Sequence, residues 1–153
     1  MSALKRILLA EDNDNDLDLT LTALGENNLA NEVIVVRDGA EAWDFLCRQG
    51  QYAARNEGNP AVLLLDLKMP KVDGLELLRR MRDDARFKSV PVVVLTSSRE
   101  ESDIVQSYRL GVNAFVVKPV AFDEFMAAVR NLGLFWAVLN EPPPDRTQKP
   151  STV

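Results

Sequence analysis

Val62-Leu63-Leu64-Leu65-Asp66 sets four apolar residues in a row and then one carboxylate. A run this short and this uniformly apolar reads as a strand buried on both faces, like the inner strands of a parallel sheet. The strand delivers Asp66 to its C-terminal lip, ahead of the loop Leu67-Lys68-Met69-Pro70. A strand that ends on a polar residue is ordinary by itself. Three other strands end in groups suited to the same chemistry, and that coincidence decides the reading.

Outward from this stretch, Arg6-Ile7-Leu8-Leu9-Ala10 is a first short strand that runs into Glu11-Asp12-Asn13-Asp14-Asn15-Asp16. Leu17, Leu21 and Leu24 then recur at helical spacing, with Asp14 or Asn15 as the expected N-cap. The alternating Asp and Asn imitate an EF-hand loop, but Leu17 and Ala23 stand where that loop needs Gly and Glu. Glu32-Val33-Ile34-Val35-Val36 forms a second strand, and Asp38-Gly39 turns into a helix whose Ala42, Trp43, Phe45 and Leu46 are packing groups. Residues 48–60 are polar and broken by Gly50, Gly58 and Asn59-Pro60, the pattern of an exposed helix end and loop.

Beyond Asp66, Asp73 is placed to cap a helix that turns Leu75, Leu78 and Met81 inward. A fourth strand, Pro91-Val92-Val93-Val94-Leu95, ends in Thr96-Ser97-Ser98. A helix over residues 100–109 follows, and then the fifth strand, Ala114-Phe115-Val116-Val117, ends in Lys118-Pro119. Five strands alternating with helices specify a parallel sheet with right-handed crossovers. Ligands of such sheets collect beyond the carboxyl ends of the strands. Glu11, Asp12, Asp66, Thr96 and Lys118 therefore crowd one edge.

Composition bounds the chemistry. The 153 residues are 46% hydrophobic and 27% charged, enough for one core and one domain. A net charge of -5 disfavours direct binding to nucleic acid. The tightest apolar run near the end, residues 132–139, is too short to span a bilayer. The lone Cys47 and the lack of a signal-peptide pattern fit a reducing cytoplasm. With no histidine in the chain, imidazole bases and His-metal sites are excluded.

Two unit charges about 4 Å apart repel by roughly 4 kcal/mol at an effective dielectric of about 20. Three carboxylates meeting at one edge therefore call for a shared cation. All-oxygen donors select a hard ion, and Mg2+ is the cytosolic one that keeps several waters. A lysine offers a point charge to a phosphoryl or carboxylate oxygen, and a threonine hydroxyl can bond the same group. Together these parts describe capture of a phosphoryl group as an acyl phosphate.

Glu11-Asp12, Asp66 followed by Met69-Pro70 and Asp73-Gly74, Thr96-Ser97 and Lys118-Pro119 resemble the receiver domain of two-component response regulators, over about residues 4–131. The resemblance implies a flavodoxin-like (βα)5 doubly wound sheet in the order 2-1-3-4-5, with an extended C-terminal helix. It implies that Asp66 accepts phosphate from a phosphohistidine on a separate sensor kinase. By the same resemblance, Asp12, Asp66 and the backbone carbonyl of Lys68 ligate Mg2+, with Glu11 behind them or acting through water. Lys118 pairs with a phosphoryl oxygen, Thr96 rotates to bond the phosphoryl group, and Phe115 is the aromatic switch. Lys68 and Ser98 depart from the chemotaxis-type pattern at two positions that govern access of water to the acyl phosphate. A protein of this kind is a phosphoacceptor that assists its own phosphorylation and dephosphorylation rather than an enzyme acting on a separate substrate.

Residues 1–140 are read as the receiver domain and the Pro-rich residues 141–153 as a flexible tail. A stand-alone receiver is the expectation. The last helix begins amphipathic through Phe122, Phe125 and Val129 but is apolar nearly all round over residues 132–139. Such a surface is expected to pack against a second copy, making a homodimer. This terminal block and the lengthened segment from Cys47 to Pro60 resemble small receivers that serve bacterial phytochrome-type kinases.

Other readings share parts of the pattern. A flavodoxin would carry a hydroxyl- and glycine-rich loop where this chain has acids. An aspartyl-phosphate phosphohydrolase would have a second acid where Lys68 stands. A degenerate receiver, acting only through protein contacts, would not need the full set of acids, Thr96 and Lys118.

Overall fold

In the computed structural model, residues 6–25, 32–56, 58–96, 110, 112, 114–118 and 121–131 are described. The strands are β1 (Arg6–Ala10), β2 (Glu32–Val36), β3 (Val62–Asp66), β4 (Val92–Thr96) and β5 (Ala114–Val117). They form one parallel sheet in the order β2-β1-β3-β4-β5. This is the flavodoxin-like order that the receiver resemblance implies, and it keeps the parallel sheet expected from the alternation of strands and helices. The expected helix over residues 100–109, the extension over residues 132–139 and the tail over residues 141–153 lie outside the described residues.

The apolar runs fix which helix covers which face. Side chains alternate across a strand, so Leu8, Ala10, Leu63, Leu65, Val92 and Val94 share one side of the sheet. There they meet Ala42, Phe45 and Leu46 of α2 (Gly39–Cys47) and Leu77, Leu78 and Met81 of α3 (Gly74–Arg82). Ile7, Leu9, Leu64, Val93, Leu95 and Val116 occupy the other side with Leu17 and Leu24 of α1 (Asp14–Gly25) and Phe125 and Met126 of the C-terminal helix (Phe122–Asn131). β3 is buried at every position, including Asp66. Each such aliphatic side chain contributes about 1.5–3 kcal/mol relative to exposure. That burial holds the strand ends in fixed register.

Helix starts differ slightly from the sequence expectation. Asn13 rather than Asp14 or Asn15 caps α1, because its Oδ1 accepts the Asp16 N–H at 2.8 Å and its carbonyl accepts the Leu17 N–H at 2.8 Å. Asp14 and Asp16 therefore fall in the first turn, where the helix dipole favours negative charge. In α3, Asp73 caps through the Glu76 N–H at 2.9 Å as expected. The fully buried stripe is Leu77, Leu78 and Met81, while Leu75 is only partly covered.

The polar segment after α2 is tied down at several points. The Arg55 guanidinium stands 4.0 Å over the Phe45 ring, and its Nε donates to the Phe45 carbonyl at 3.0 Å. Tyr52 packs edge-on against Phe45 and donates its hydroxyl to Glu41 at 2.6 Å. These contacts anchor the lengthened loop to α2.

Candidate functional site

The strand register decides what meets at the carboxyl edge. Ala10 pairs with Leu65, so the next residues, Glu11 and Asp66, emerge side by side from β1 and β3. Thr96 pairs with Val117, so Lys118 leaves β5 one step beyond the end of β4. Carboxylate oxygens of Glu11, Asp12 and Asp66 all lie within 4.8 Å of one another. A cleft of about 560 Å³ opens beside Asp12, walled by Lys68, Met69, Pro70 and Leu75 among others. Of the three acids, Asp12 lines this cleft and faces solvent.

Glu11 is wholly buried and Asp66 is 6% exposed. Burial raises the Glu11 pKa to about 7, opposed by the contact with Lys118 and reinforced by the neighbouring Asp66. Glu11 Oε2 accepts the Asn13 N–H at 3.2 Å, and Oε1 lies 2.7 Å from Lys118 Nζ in an ion pair too oblique to count as a hydrogen bond. The same ammonium stands 3.2 Å from Asp66 Oδ2 and 3.0 Å from Asp16 Oδ2. Burial works against the charged Lys118, but Glu11 and Asp16 outweigh it, so its pKa is pushed up to about 12. Three carboxylates thus surround one ammonium.

The loop after Asp66 is held from three sides. Asp66 Oδ1 accepts the Lys68 N–H at 3.3 Å, and the Gly74 N–H returns to the Leu67 carbonyl at 2.8 Å. A Cβ on Gly74 would lie 2.6 Å from the Asp66 carbonyl oxygen, and one on Gly39 would collide with the Val72 carbonyl oxygen. Both helix starts therefore press directly on this loop. Lys71 takes a left-handed backbone (φ 67) and places its Nζ 3.5 Å from Asp38, the cap of α2. On the other side, Arg37 donates to the Asp12 carbonyl at 3.2 Å and pairs with Asp14, fixing the loop that presents Asp12.

Of the site residues read from sequence, Glu11, Asp12, Asp66 and Lys118 come together. Thr96 ends β4 at the same edge, although its side chain is not described. Lys68 is exposed in the turn after Asp66, and Phe115 is half-buried on β5 against the cluster of α2 and α3. Asp16 was not among the expected site residues. Its proximity to Lys118 depends on where α1 starts, and the cap at Asn13 sets that phase. The run of acids in residues 11–16 was visible in the sequence, but not which of them turns inward.

The donor set suits a hard divalent ion: carboxylates only, close enough to share one cation, and short of counter-charge. No described helix is long and apolar enough to cross a membrane.

Comparison with known proteins agrees with this geometry. Residues 7–130 match the response regulator receiver domain. The chain is 39% identical over 132 residues to response regulator Rcp1 of Synechocystis sp., covering 86% of this chain and 88% of Rcp1. The solved Mn2+-bound form of Rcp1 superposes with a TM-score of 0.73 at 36% identity, covering 92% of this chain and 99% of that one. The bacteriophytochrome response regulator RtBRR is 65% identical, with a TM-score of 0.83, covering 93% of this chain and 86% of that one. The phosphorylated cyanobacterial phytochrome response regulator RcpA is 39% identical, with a TM-score of 0.74, covering 94% of this chain and all of RcpA.

Proposed function

This chain belongs to the response regulator receiver family, and from that membership we propose that it takes a phosphoryl group onto Asp66 from a phytochrome-type sensor histidine kinase in the cytoplasm. The observation that carries the reading is the meeting of Glu11, Asp12 and Asp66 within 4.8 Å, with the Lys118 ammonium 3.2 Å from Asp66. The likeness to bacteriophytochrome and phytochrome response regulators supports the choice of donor.

Asp12, Asp66 and the Lys68 carbonyl would hold Mg2+, with Glu11 beside them. When bound, the ion neutralises the acids and the charge on the arriving phosphoryl oxygens. An Asp66 carboxylate oxygen attacks phosphorus as the P–N bond of the phosphohistidine breaks, its electron pair leaving with the imidazole nitrogen. Lys118 then pairs with a phosphoryl oxygen and the Thr96 hydroxyl donates to another. The modification adds about -1.5 to -2 charge at the sheet edge. Phe115 shifts in response and alters the surface around β5, so that the change is read by partner proteins. Residues 132–139 join two copies into a homodimer.

Incubation with a small phosphodonor tests the reading. Wild type should gain one phosphoryl mass only when Mg2+ is present, and Asp66→Asn should gain none. Equal labelling of Asp66→Asn would overturn it.

A further inference from the structure

We propose that Asp16 is a releasable competitor for the Lys118 ammonium, holding that side chain in the resting receiver and giving up its place to a phosphoryl oxygen on Asp66. The inference rests on the phosphoacceptor reading above and adds a positioning residue to it.

An ammonium has three N–H donors. In this structure three carboxylates surround Lys118 Nζ, with Glu11 at 2.7 Å, Asp16 at 3.0 Å and Asp66 at 3.2 Å. Its charge is shared among these three before any phosphoryl oxygen arrives, and Asp16 Oδ2 accepts a hydrogen bond from it, so a phosphoryl oxygen must displace one of these contacts. The three differ in what their release costs. Glu11 is wholly buried, and losing its cation would strand a carboxylate away from water. Asp66 is itself the group that carries the phosphoryl. The Asp16 side chain is 31% exposed, so when released it turns to water at little penalty.

Asp16 is also held within reach of Lys118. Its backbone N–H is fixed by Asn13 Oδ1 at 2.8 Å, in the first turn of a helix whose Leu17 and Leu24 are locked against the sheet. The side chain can swing to water and back without any change in the backbone. The resting state thus gains an ion pair that the phosphorylated state must surrender. That sets the balance between the two below what Glu11, Asp66 and Lys118 alone would give.

Titration with beryllofluoride at saturating Mg2+, read by the bound fluorine-19 resonance, tests this on the full chain. Asp16→Asn keeps the side-chain shape and leaves the helix cap at Asn13 untouched. It should bind beryllofluoride about three- to fivefold more tightly, the span expected for one partly exposed ion pair. Damage to the fold would weaken binding, so a gain cannot arise that way. The gain should persist in about 0.5 M KCl, where a general charge effect through solvent is screened within ~4 Å. Unchanged or weaker binding by Asp16→Asn, or a gain that vanishes in high salt, overturns the role of Asp16 while leaving the phosphoacceptor reading intact. Wild type that binds no beryllofluoride overturns both.

Discussion

Lys118 Nζ stands 2.7 Å from Glu11 Oε1, joining the end of β5 to the end of β1 across the face of Asp66. The pair puts a lysine whose pKa is raised to about 12 against an acid whose pKa burial raises to about 7. Around neutral pH, Glu11 is therefore near its titration midpoint while Lys118 stays charged. The site is short of positive charge, which a proton on Glu11 or a hard cation would supply.

Metal affinity should accordingly depend on pH. Below pH 7 a proton on Glu11 competes with Mg2+, and above it the carboxylate is free. Calorimetric titration at pH 6 and pH 8 should show affinity rising by roughly tenfold, then levelling. Glu11→Gln should bind more weakly and lose most of this slope.

The stability of the metal-free protein should run the opposite way. An acid with its folded pKa raised from 4.5 to about 7 contributes stability that is full below 4.5 and lost as pH rises through 7. Urea unfolding should show a decline on the order of 2–3 kcal/mol between those limits, and saturating Mg2+ should shrink it. Lys118→Ala should destabilise the metal-free protein by roughly 2–4 kcal/mol at pH 8. The loss should be smaller at pH 5, where a protonated Glu11 needs no cation.

Gly74→Ala should disturb the loop that carries Asp66. Its Cβ would meet the Asp66 carbonyl oxygen at 2.6 Å and the Leu67 Cα at 2.7 Å, both backbone atoms that cannot swing aside. The expected cost is about 2–3 kcal/mol, with slower labelling of Asp66 by a small phosphodonor. Asp73→Ala removes only the α3 cap, and should cost about 1 kcal/mol with labelling nearly unchanged.

Residues 132–139 are the proposed dimer contact. Mass measurement in solution should find a dimer for the 153-residue chain at tens of micromolar and a monomer for a chain ending at Asn131. A monomer in both cases would rule the contact out.

The sheet and the clustering of four candidate site residues were legible because they depend on local pattern. Short apolar runs such as Val62–Asp66 fix β3, and parallel connectivity then sends every strand's last residue to one edge. What the pattern could not give was side-chain direction within a turn. Asp12, Asp14 and Asp16 look alike in sequence, yet Asp12 joins the acid cluster, Asp14 pairs with Arg37 and Asp16 pairs with Lys118. Those fates follow from the cap at Asn13 and from a lysine 102 positions away from Asp16. The loop over residues 48–60 read as merely exposed for a similar reason. Its anchor is the stacking of Arg55 on Phe45, a contact set by tertiary packing and carrying no periodic signature.

The most direct test is to find where the phosphoryl group goes. Wild-type protein labelled with a small phosphodonor in Mg2+ would be reduced with borohydride, which converts an aspartyl phosphate to homoserine, and then mapped by peptide mass spectrometry. Homoserine is expected at position 66 and at no other aspartate, Asp12 and Asp16 included, with Glu11 left unreduced. Homoserine at any other aspartate, or none anywhere despite full labelling, would contradict it.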